Sequence, residues 1–336
     1  MNLKESQNIV VLGAGSWGTA LAMLLGRNNH QVKLWSHNPE HANAMQNSRE
    51  NNRYLPNLTF PDTLTIVADL EATLKETNNI LIVVPSHAFR KTLEAIKPFI
   101  TSAHRIAWAT KGLEANSYKP LHVVAREVLG DEIPLAVISG PTFAKEVAQG
   151  LPGAVTVASN DQSFALEWAH FLHNDHFRAY TSDDVVGVEI GGACKNVIAI
   201  AAGIADGMGF GANARAALIA RALSEITRLG VSIGAKPETF TGLTGLGDLV
   251  LTCTDDQSRN RRTGLALGKG KKLDDAIKSI GQVVEGVSTA KEVVALAIKQ
   301  KINMPITEQV YNVLYENFSP QDAVDALFNR AITKEN

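Results

Sequence analysis

The apolar residues of the first half of the chain come in short runs that have the character of strands. These runs stand at residues 9–12, 31–35, 64–67, 80–84, 105–110, 135–138, 154–158 and 177–180. The run 80–84 is continuously apolar, which is typical of a strand that is buried on both faces of a parallel sheet. Segments such as 19–25, 70–75 and 162–172 have the apolar spacing of helices. The alternation of strands and helices predicts an α/β domain with a doubly wound sheet.

The polar stretch 47–61 is rich in Asn and Pro and is predicted to be a loop, with Tyr54 and Leu55 facing inward. From residue 183 onward, apolar residues recur at helical spacing over 185–205, 212–229, 287–299 and 304–331, with a break near 319–320. We therefore expect two domains, an α/β domain over residues 1–182 and an all-α domain over residues 183–336.

Three glycines follow the first predicted strand with the spacing G-x-G-x-x-G. They are Gly13, Gly15 and Gly18, and a helix-forming run begins directly after them. In this context, the first glycine permits a tight turn, the second lets the backbone approach a pyrophosphate, and the third lets the helix pack closely on the strand. The phosphates would lie on free N–H groups at the start of the helix. The motif predicts a dinucleotide site.

The end of the second strand bears on the choice between NAD and NADP. An acidic residue there would bind the 2′-hydroxyl of NAD and repel a 2′-phosphate. This chain instead has Ser36, His37 and Asn38, with Arg49 and Arg53 further on. The pattern favours tolerance of NADP, although arginines in a polar loop are also commonly just solvated. NADP or NAD therefore stays open as the cofactor.

Polar residues follow two later strands, where ligands of doubly wound sheets collect. Lys111 comes directly after the run 105–110 and is placed to meet a substrate phosphate or a developing alkoxide. Gly140 and Thr142 follow the run 135–138 and precede a helical segment, which favours the anchoring of polar ligand atoms on N–H groups. A solvated lysine and an ordinary helix start are the alternatives.

Lys195 lies in a long predicted helix that is otherwise mostly apolar. Burial disfavours the charged form of a lysine, and a lysine that exchanges protons near neutral pH suits a general acid or base. A side chain that reaches out to solvent is the alternative. Asn196, the next residue, is a candidate to orient it.

Two further stretches in the second half carry candidate chemistry. The glycine-rich stretch 241–248 lacks both a preceding strand and the lysine of a phosphate loop, so we expect its glycines to let the backbone pass close to a neighbour while presenting Asp248. Ser258, Arg259 and Asn260 stand in a dense polar patch just before a predicted helix. Hydroxyl, guanidinium and amide groups at a helix start suit a phosphate, although a charged patch is also ordinary solvated surface.

Composition narrows the class of protein. A formal charge of −2 over 336 residues gives no broad electrostatic reason to bind nucleic acid or an anionic membrane. The two cysteines, Cys194 and Cys253, match no zinc or redox spacing, so we expect reduced thiols and no metal site. The short polar start lacks the features of a signal peptide, and no uninterrupted apolar run is long enough to span a membrane. These features predict a soluble, cytoplasmic protein.

Six ordered motifs resemble those of the bacterial NAD(P)-dependent glycerol-3-phosphate dehydrogenases. They are Gly-Ala-Gly-Ser-Trp-Gly at 13–18, Thr-Lys-Gly-Leu at 110–113, Ser-Gly-Pro-Thr-Phe-Ala at 139–144, Lys-Asn-Val-Ile-Ala at 195–199, Gly-Leu-Gly-Asp-Leu at 245–249 and Gln-Ser-Arg-Asn at 257–260. The resemblance runs from Val10 to about Ala331. It implies a Rossmann domain, a helical C-terminal domain, a homodimer, and reversible reduction of dihydroxyacetone phosphate to sn-glycerol 3-phosphate for phospholipid synthesis.

The resemblance also implies roles for individual residues. Lys195 would exchange the proton, and Lys111 would assist it. The substrate would be bound by Lys111, Gly140, Thr142, Asp248, Ser258, Arg259 and Asn260. By the resemblance, the cofactor would be bound by Ser16, Trp17, His37, Lys111, Ala144, Arg259, Val283 and Glu285. The glycine motif adds Gly13, Gly15 and Gly18, and Tyr54 of the polar stretch is a further cofactor-binding candidate. Two other functions stay open, a related hydroxyacid or sugar-acid dehydrogenase and a nonenzymatic dinucleotide sensor.

Overall fold

The computed structural model describes residues 5–332 and residue 334, and it divides into two compact units. The first unit runs to Glu114 and resumes over Lys119–Glu189, and the second comprises Ala115–Tyr118 and the chain from Ile190. The change of unit at residues 189 and 190 falls inside one long helix, Val185–Gly207.

The first unit is built of alternating strands and helices. Its strands are β1 (Asn8–Leu12), β2 (Gln31–Trp35), β3 (Glu50–Asn51), β4 (Leu55–Thr59), β5 (Leu64–Val67), β6 (Asn79–Ile82), β7 (Arg105–Trp108), β8 (Leu135–Ser139), β9 (Gly153–Ala158) and β10 (Phe177–Ser182). Its helices are α1 (Ser16–Arg27), α2 (Pro39–Ser48), α3 (Leu70–Lys75), α4 (Ser86–Ile96), α5 (Leu121–Leu129), α6 (Ala144–Gln149) and α7 (Gln162–Leu172).

Within the described residues, eight strands form one sheet in the order β10-β9-β8-β7-β6-β1-β2-β5. Pairing is parallel from β5 to β8, while β9 runs antiparallel to β8 and β10 is parallel to β9. Strand β1 is central, with β2 on one side and β6 on the other. The strand order reverses at β1, which is the switch point where doubly wound sheets bind ligands.

Strand β1 is buried on both faces, as its unbroken apolar sequence predicts. Ile9 and Val11 join the core beneath α1 and α7, whereas Val10 and Leu12 join the core beneath α4 and α5. Successive side chains of a strand point to opposite faces, so one run of four apolar residues supplies both layers. The predicted Rossmann fold is confirmed.

The segment around residues 39–59 was only partly predicted. Helix α2 is mostly polar and buries only Ala42 and Met45, so its apolar pattern is weak, but the Asn38 side chain caps it by accepting the His41 N–H at 2.9 Å. The predicted loop over 47–61 is wrong in part, because β3 and β4 pair as a short antiparallel ribbon within it. Leu55 is buried as expected, and Tyr54 is half-buried.

The second unit is helical, as predicted. It contains α8 (Val185–Gly207) from Ile190 onward, followed by α9 (Ala212–Ser232), α10 (Asp248–Thr254), α11 (Arg259–Gly268), α12 (Leu273–Ile280), α13 (Glu285–Gln300), α14 (Pro305–Tyr315) and α15 (Pro320–Phe328). A short π-helical turn, Leu243–Gly247, leads into α10. Its core gathers Val197, Ile200 and Ile204 of α8 with apolar residues of α11, α13 and α14.

Helix α8 is long and apolar enough to cross a membrane by length and composition alone, although Glu189 and Lys195 interrupt its apolar sequence. In the most apolar part of this helix, 94% of the residues are buried inside the protein. Such burial is typical of the core helix of a globular domain.

The thiols of Cys194 and Cys253 are buried and unbridged, and burial raises the pKa of each to about 12. They are therefore poor nucleophiles at neutral pH.

Candidate active site

The turn between β1 and α1 is tightly packed at two of its glycines and open at the third. Gly13 has a φ of +120°, and a Cβ there would collide with the Val83 carbonyl oxygen. A Cβ at Gly18 would collide with the carbonyl oxygen of Gly13. At Gly15, by contrast, an added Cβ meets no atom of the described residues within 4 Å, and none of their side chains caps α1. Open space in front of an uncapped helix start fits a dinucleotide pyrophosphate.

A short polar network ties the β3–β4 ribbon to this turn. Asn51 is fully buried, and its Nδ2 donates to the Ala14 carbonyl at 3.0 Å and to Thr19 Oγ1 at 2.8 Å. Ser16 Oγ donates to the Tyr54 carbonyl at 2.8 Å. The structure therefore brings Ser16 and Tyr54 together. Asn51 was missed, because nothing distinguishes it from the other asparagines of this polar stretch.

Basic side chains cluster near the end of β2. Burial lowers the pKa of His41, and the charges of Arg53 and His37 lower it further, so these groups lie close enough to interact. The guanidinium of Arg53 lies 5.1 Å from the centre of the Tyr54 ring. His37 itself is exposed. A basic cluster at this edge fits an anionic group on the cofactor ribose.

Arg49 has a different role from the one its sequence position suggested. Its guanidinium donates to the carbonyl oxygens of Leu64 at 2.8 Å and Pro61 at 2.7 Å. These bonds hold the ribbon against the edge of the sheet. Arg49 is thus a structural residue, and Arg53 is the better placed arginine for a ligand.

Trp17 packs against the apolar core beneath α1, and its buried Nε1 has no hydrogen-bond partner in the part of the chain described. Buried donors are usually bonded, so this N–H stands out beside the glycine turn.

Lys111, Gly140 and Thr142 meet at one backbone carbonyl in the first unit. Lys111 Nζ lies 3.4 Å from the Gly140 carbonyl oxygen, and Thr142 Oγ1 donates to the same oxygen at 3.3 Å. Lys111 is half-buried. Ala144 is the first residue of the six-residue helix α6. The carboxyl ends of β7 and β8 therefore bring these predicted residues together, as expected for neighbouring parallel strands.

Lys195 is buried in the second unit, with 6% of its surface exposed, and it is paired. Its Nζ lies 2.5 Å from Asp248 Oδ1 and 2.9 Å from Thr252 Oγ1. Asp248 and Thr252 are one turn apart on α10, so one face of that helix supplies both contacts. A buried ammonium is tolerable only with such a partner. Thr252 was missed, since no motif marks it.

A second polar chain runs beside this pair. Asn260 Nδ2 donates to Asn196 Oδ1 at 2.9 Å, and the Gly286 N–H donates to Asn260 Oδ1 at 2.9 Å. Asn196 thus contacts Asn260, which links α8 to the start of α11. The bond to Gly286 extends the chain to the first turn of α13, which begins at Glu285.

Ser258 and Arg259 form the start of α11. Ser258 is the N-cap, and its Oγ accepts the Arg261 N–H at 3.2 Å. Arg259 is half-buried, and its Nη1 donates to Gln282 at 3.1 Å. Val283, one residue further on, is exposed. The second unit therefore gathers its predicted residues in two sets, Lys195 with Asp248 and Asn260 with the start of α11.

Two family models match the chain. One, described as the N-terminus of NAD-dependent glycerol-3-phosphate dehydrogenase, matches residues 8–165. The other, described as the C-terminus of the same enzyme, matches residues 184–325. Together they cover both units.

Individual proteins are similar over nearly their full length. The glycerol-3-phosphate dehydrogenase [NAD(P)+] of Pseudoalteromonas translucida is 58% identical over 323 residues, which is 96% of each chain. The enzyme of the same name from Pasteurella multocida is 56% identical over the same share of each chain. The crystal structure of glycerol-3-phosphate dehydrogenase from Coxiella burnetii matches with a TM-score of 0.94 and 52% identity, over 97% of this chain and 99% of that one.

Proposed function

The chain belongs to the NAD-dependent glycerol-3-phosphate dehydrogenase family, and from this premise we propose how its own residues perform the reaction. It is an NAD(P)-dependent oxidoreductase that interconverts dihydroxyacetone phosphate and sn-glycerol 3-phosphate. The observation that carries the proposal is the buried ion pair of Lys195 with Asp248, beside a helix start equipped for a phosphate. We assign dinucleotide binding to residues 1–182 and the proton and phosphate chemistry to residues 183–336.

Lys195 exchanges the proton. In the reductive direction the C2 carbonyl of the substrate accepts a hydride, the electron pair of the C=O bond moves to oxygen, and the Lys195 ammonium protonates that oxygen. When bound, the reduced nicotinamide supplies the hydride. Asp248 pairs with the Lys195 side-chain nitrogen and aims it, and the hydrogen bond to Thr252 Oγ1 fixes a second direction. In the oxidative direction Lys195 takes the proton back.

Lys111 stabilises the oxygen on which negative charge develops. Its Nζ is held near the Gly140 carbonyl with Thr142 beside it, so its cationic charge is oriented before the reaction. A preoriented charge needs little reorganisation when the substrate reacts. Lys111, Gly140 and Thr142 also contact the substrate and Lys111 the cofactor.

The start of α11 binds the phosphate. Arg259 supplies a guanidinium and Asn260 supplies an amide. Ser258, the N-cap of the helix, supplies a hydroxyl group that can donate its hydrogen. Helix N–H groups and the helix dipole favour an anion there. Because the phosphate lies away from the reacting carbon, its binding energy is available to position the carbonyl.

The glycine turn binds the dinucleotide. Gly13 and Gly18 keep the turn tight, and the open space at Gly15 receives the pyrophosphate. The remaining cofactor contacts that we propose are Ser16, Trp17, His37, Tyr54, Ala144, Arg259, Val283 and Glu285.

One experiment tests the proposed activity. Oxidation of NADPH and NADH is followed with dihydroxyacetone phosphate, with the keto form of a hydroxyacid, and with neither. We expect oxidation only with dihydroxyacetone phosphate. Oxidation with the keto acid alone would indicate a hydroxyacid dehydrogenase, and binding without oxidation would indicate a dinucleotide sensor.

We propose that Arg53 and His37 let the site accept NADP as well as NAD. The Arg53→Ala variant should raise the KM for NADPH about tenfold and leave the KM for NADH within about twofold, because only NADPH carries the 2′-phosphate. NADH serves as the internal control. Equal changes for both cofactors would contradict a role at the 2′-phosphate.

We further propose a cytoplasmic homodimer that supplies sn-glycerol 3-phosphate to glycerophospholipid synthesis. The two free, buried thiols suit a reducing compartment. Exposed apolar side chains on the second unit, Ile298 and Phe328, suit a contact between copies. Light scattering should give twice the mass of one chain, and a mass of one chain would contradict the dimer.

The proposed supply of sn-glycerol 3-phosphate has its own test. Depletion of the protein from cells should lower the amount of label that enters the glycerol of phospholipids.

A further inference from the structure

Arg261 is a buried arginine that the proposed reaction does not use. It lies in the first turn of α11 with 8% of its surface exposed. Its Nη2 donates to Asp206 Oδ2 at 2.6 Å, its Nε donates to the Cys253 carbonyl at 3.0 Å, and its Nη1 pairs with Asp256. One planar guanidinium thus holds three partners in fixed directions.

The three partners lie on different segments. Asp206 is near the end of α8, Cys253 is in the last turn of α10, and Asp256 is in the turn between α10 and α11. Asp206 is itself held by Arg215 at 2.7 Å. Arg261 is therefore anchored to a carboxylate that α9 also fixes.

Close helix packing leaves little freedom around this anchor. Gly203 of α8 and Gly264 of α11 face each other's backbones, and a Cβ on either would collide with a carbonyl oxygen of the other helix. The axes of α8 and α11 thus lie at a spacing that only glycine allows. Arg261 lies one turn before Gly264 on α11, and its pair with Asp256 ties the turn 255–258 to this packed pair of helices.

The same guanidinium links the two helices that carry the halves of the proposed site. Helix α10 carries Asp248 and Thr252, the partners of Lys195, and Arg261 binds the last turn of that helix. The start of α11 carries the residues that we propose to bind the phosphate. At that start, Ser258 Oγ accepts a hydrogen bond from the backbone N–H of Arg261.

We propose that Arg261 is a positioning residue that fixes the distance between the proton-donating group and the phosphate-binding helix start. The inference rests on the proposed function. A fixed distance selects substrates in which the phosphate and the carbonyl have one separation, and it lets phosphate binding orient the carbonyl. In this proposal Arg261 contacts neither the phosphate nor the carbonyl. Its effect is therefore on how much the phosphate group of a substrate raises kcat/KM.

The test compares dihydroxyacetone phosphate with unphosphorylated dihydroxyacetone in the wild type and in Arg261→Lys and Arg261→Met. We expect kcat/KM for dihydroxyacetone phosphate to fall about 10- to 100-fold, while that for dihydroxyacetone stays within about threefold, since misplacement by about 1 Å costs up to about 100-fold. The Arg261→Lys variant should recover little of the lost kcat/KM, because one ammonium group cannot hold three partners in the fixed directions of a guanidinium.

Asp256→Ala provides a milder variant, because the Asp256 side chain is 71% exposed and its loss removes one anchor without opening the core. It should lower the preference for the phosphorylated substrate about three- to tenfold. Arg262→Met is the matched control, since Arg262 is the exposed neighbour on α11, and it should leave both substrates unchanged.

The outcomes separate the inference from its premise. An equal fall for both substrates in the Arg261 variants, or an unchanged preference in folded Asp256→Ala, would overturn the positioning role. A wild type that shows no preference for the phosphorylated substrate would instead overturn the proposed function.

Discussion

The glycine turn and the Lys195 cluster (Lys195, Asp248 and Thr252) rely on different parts of the chain for the roles that we propose. The turn uses backbone, and its elements lie within residues 13–18. The cluster uses side chains, and Lys195 is separated by 53 residues from Asp248 and by 57 from Thr252. A role that backbone groups perform leaves a local pattern of glycines in the sequence. A role that side chains from distant positions perform together depends on which helices pack against each other.

The turn should be the more sensitive region to a single methyl group. In Gly18→Ala the new Cβ would collide with the Gly13 carbonyl oxygen, so the turn must open. Overpacking of this kind typically costs about 1–3 kcal/mol. We expect a lower melting temperature and a dinucleotide Kd raised by at least about 100-fold, measured by fluorescence titration.

Gly15→Ala is the matched control, because its Cβ enters open space in the protein. It should keep the wild-type melting temperature and still weaken dinucleotide binding, since the methyl group occupies the space proposed for the pyrophosphate. If both variants kept wild-type affinity, the turn would not be the dinucleotide site.

The cluster should respond to the loss of charge rather than of shape. Asp248→Asn leaves the Lys195 ammonium buried without its carboxylate, which disfavours the charged form. We expect kcat near neutral pH to fall about 10- to 100-fold and the alkaline fall of kcat to move to lower pH, with dinucleotide Kd unchanged.

Thr252→Val is the control for Asp248→Asn. It removes a neutral hydrogen bond to Lys195, so kcat should fall less and the alkaline limb should not move. An unchanged pH profile in Asp248→Asn would show that the carboxylate does not govern the protonation of Lys195.

Glu225 offers a contrast to Lys195, because it is a buried charge-bearing group held by neutral donors. The residue is 2% exposed, and its carboxyl accepts the N–H groups of Ile306 at 2.8 Å and Thr307 at 3.3 Å. Burial raises its pKa from 4.5 to about 7. Between these values the folded state holds a proton that the unfolded state has lost, so stability falls as pH rises through this window.

Glu225→Gln should remove that dependence with the smallest effect on activity. The wild type should lose up to roughly 3 kcal/mol more unfolding free energy than the variant between about pH 4.5 and pH 7. Urea unfolding at both ends of the window measures the difference. Parallel changes in the two proteins would show that Glu225 ionises normally in the fold.

The fold was largely predictable because its signals are local. The apolar run of β1 supplies both layers of the core, and the glycines after it mark the turn. Helix α2 was not predicted, because it buries only two residues and its sequence therefore lacks a clear apolar pattern. Arg49 resembled a ligand residue in sequence, yet its guanidinium holds backbone carbonyls.

The chemistry of the cluster was predictable only in part. Lys195 stood out as a cation in an apolar helix, and Asp248 stood out after its glycines, but nothing in the sequence paired them. Thr252 and Asn51 carried no signal, because a threonine in a helix and an asparagine in a polar stretch are ordinary. Their roles come from neighbours that only the fold supplies.

We propose that Lys195 moves the proton while the glycine turn binds the dinucleotide. The variant Lys195→Met tests both parts of this assignment when it is assayed for NADPH affinity and for turnover of dihydroxyacetone phosphate. We predict a kcat lower by about 10²–10⁴-fold, with the Kd for NADPH within about twofold of the wild type. Turnover within about threefold of the wild type would contradict the assignment of the proton to Lys195.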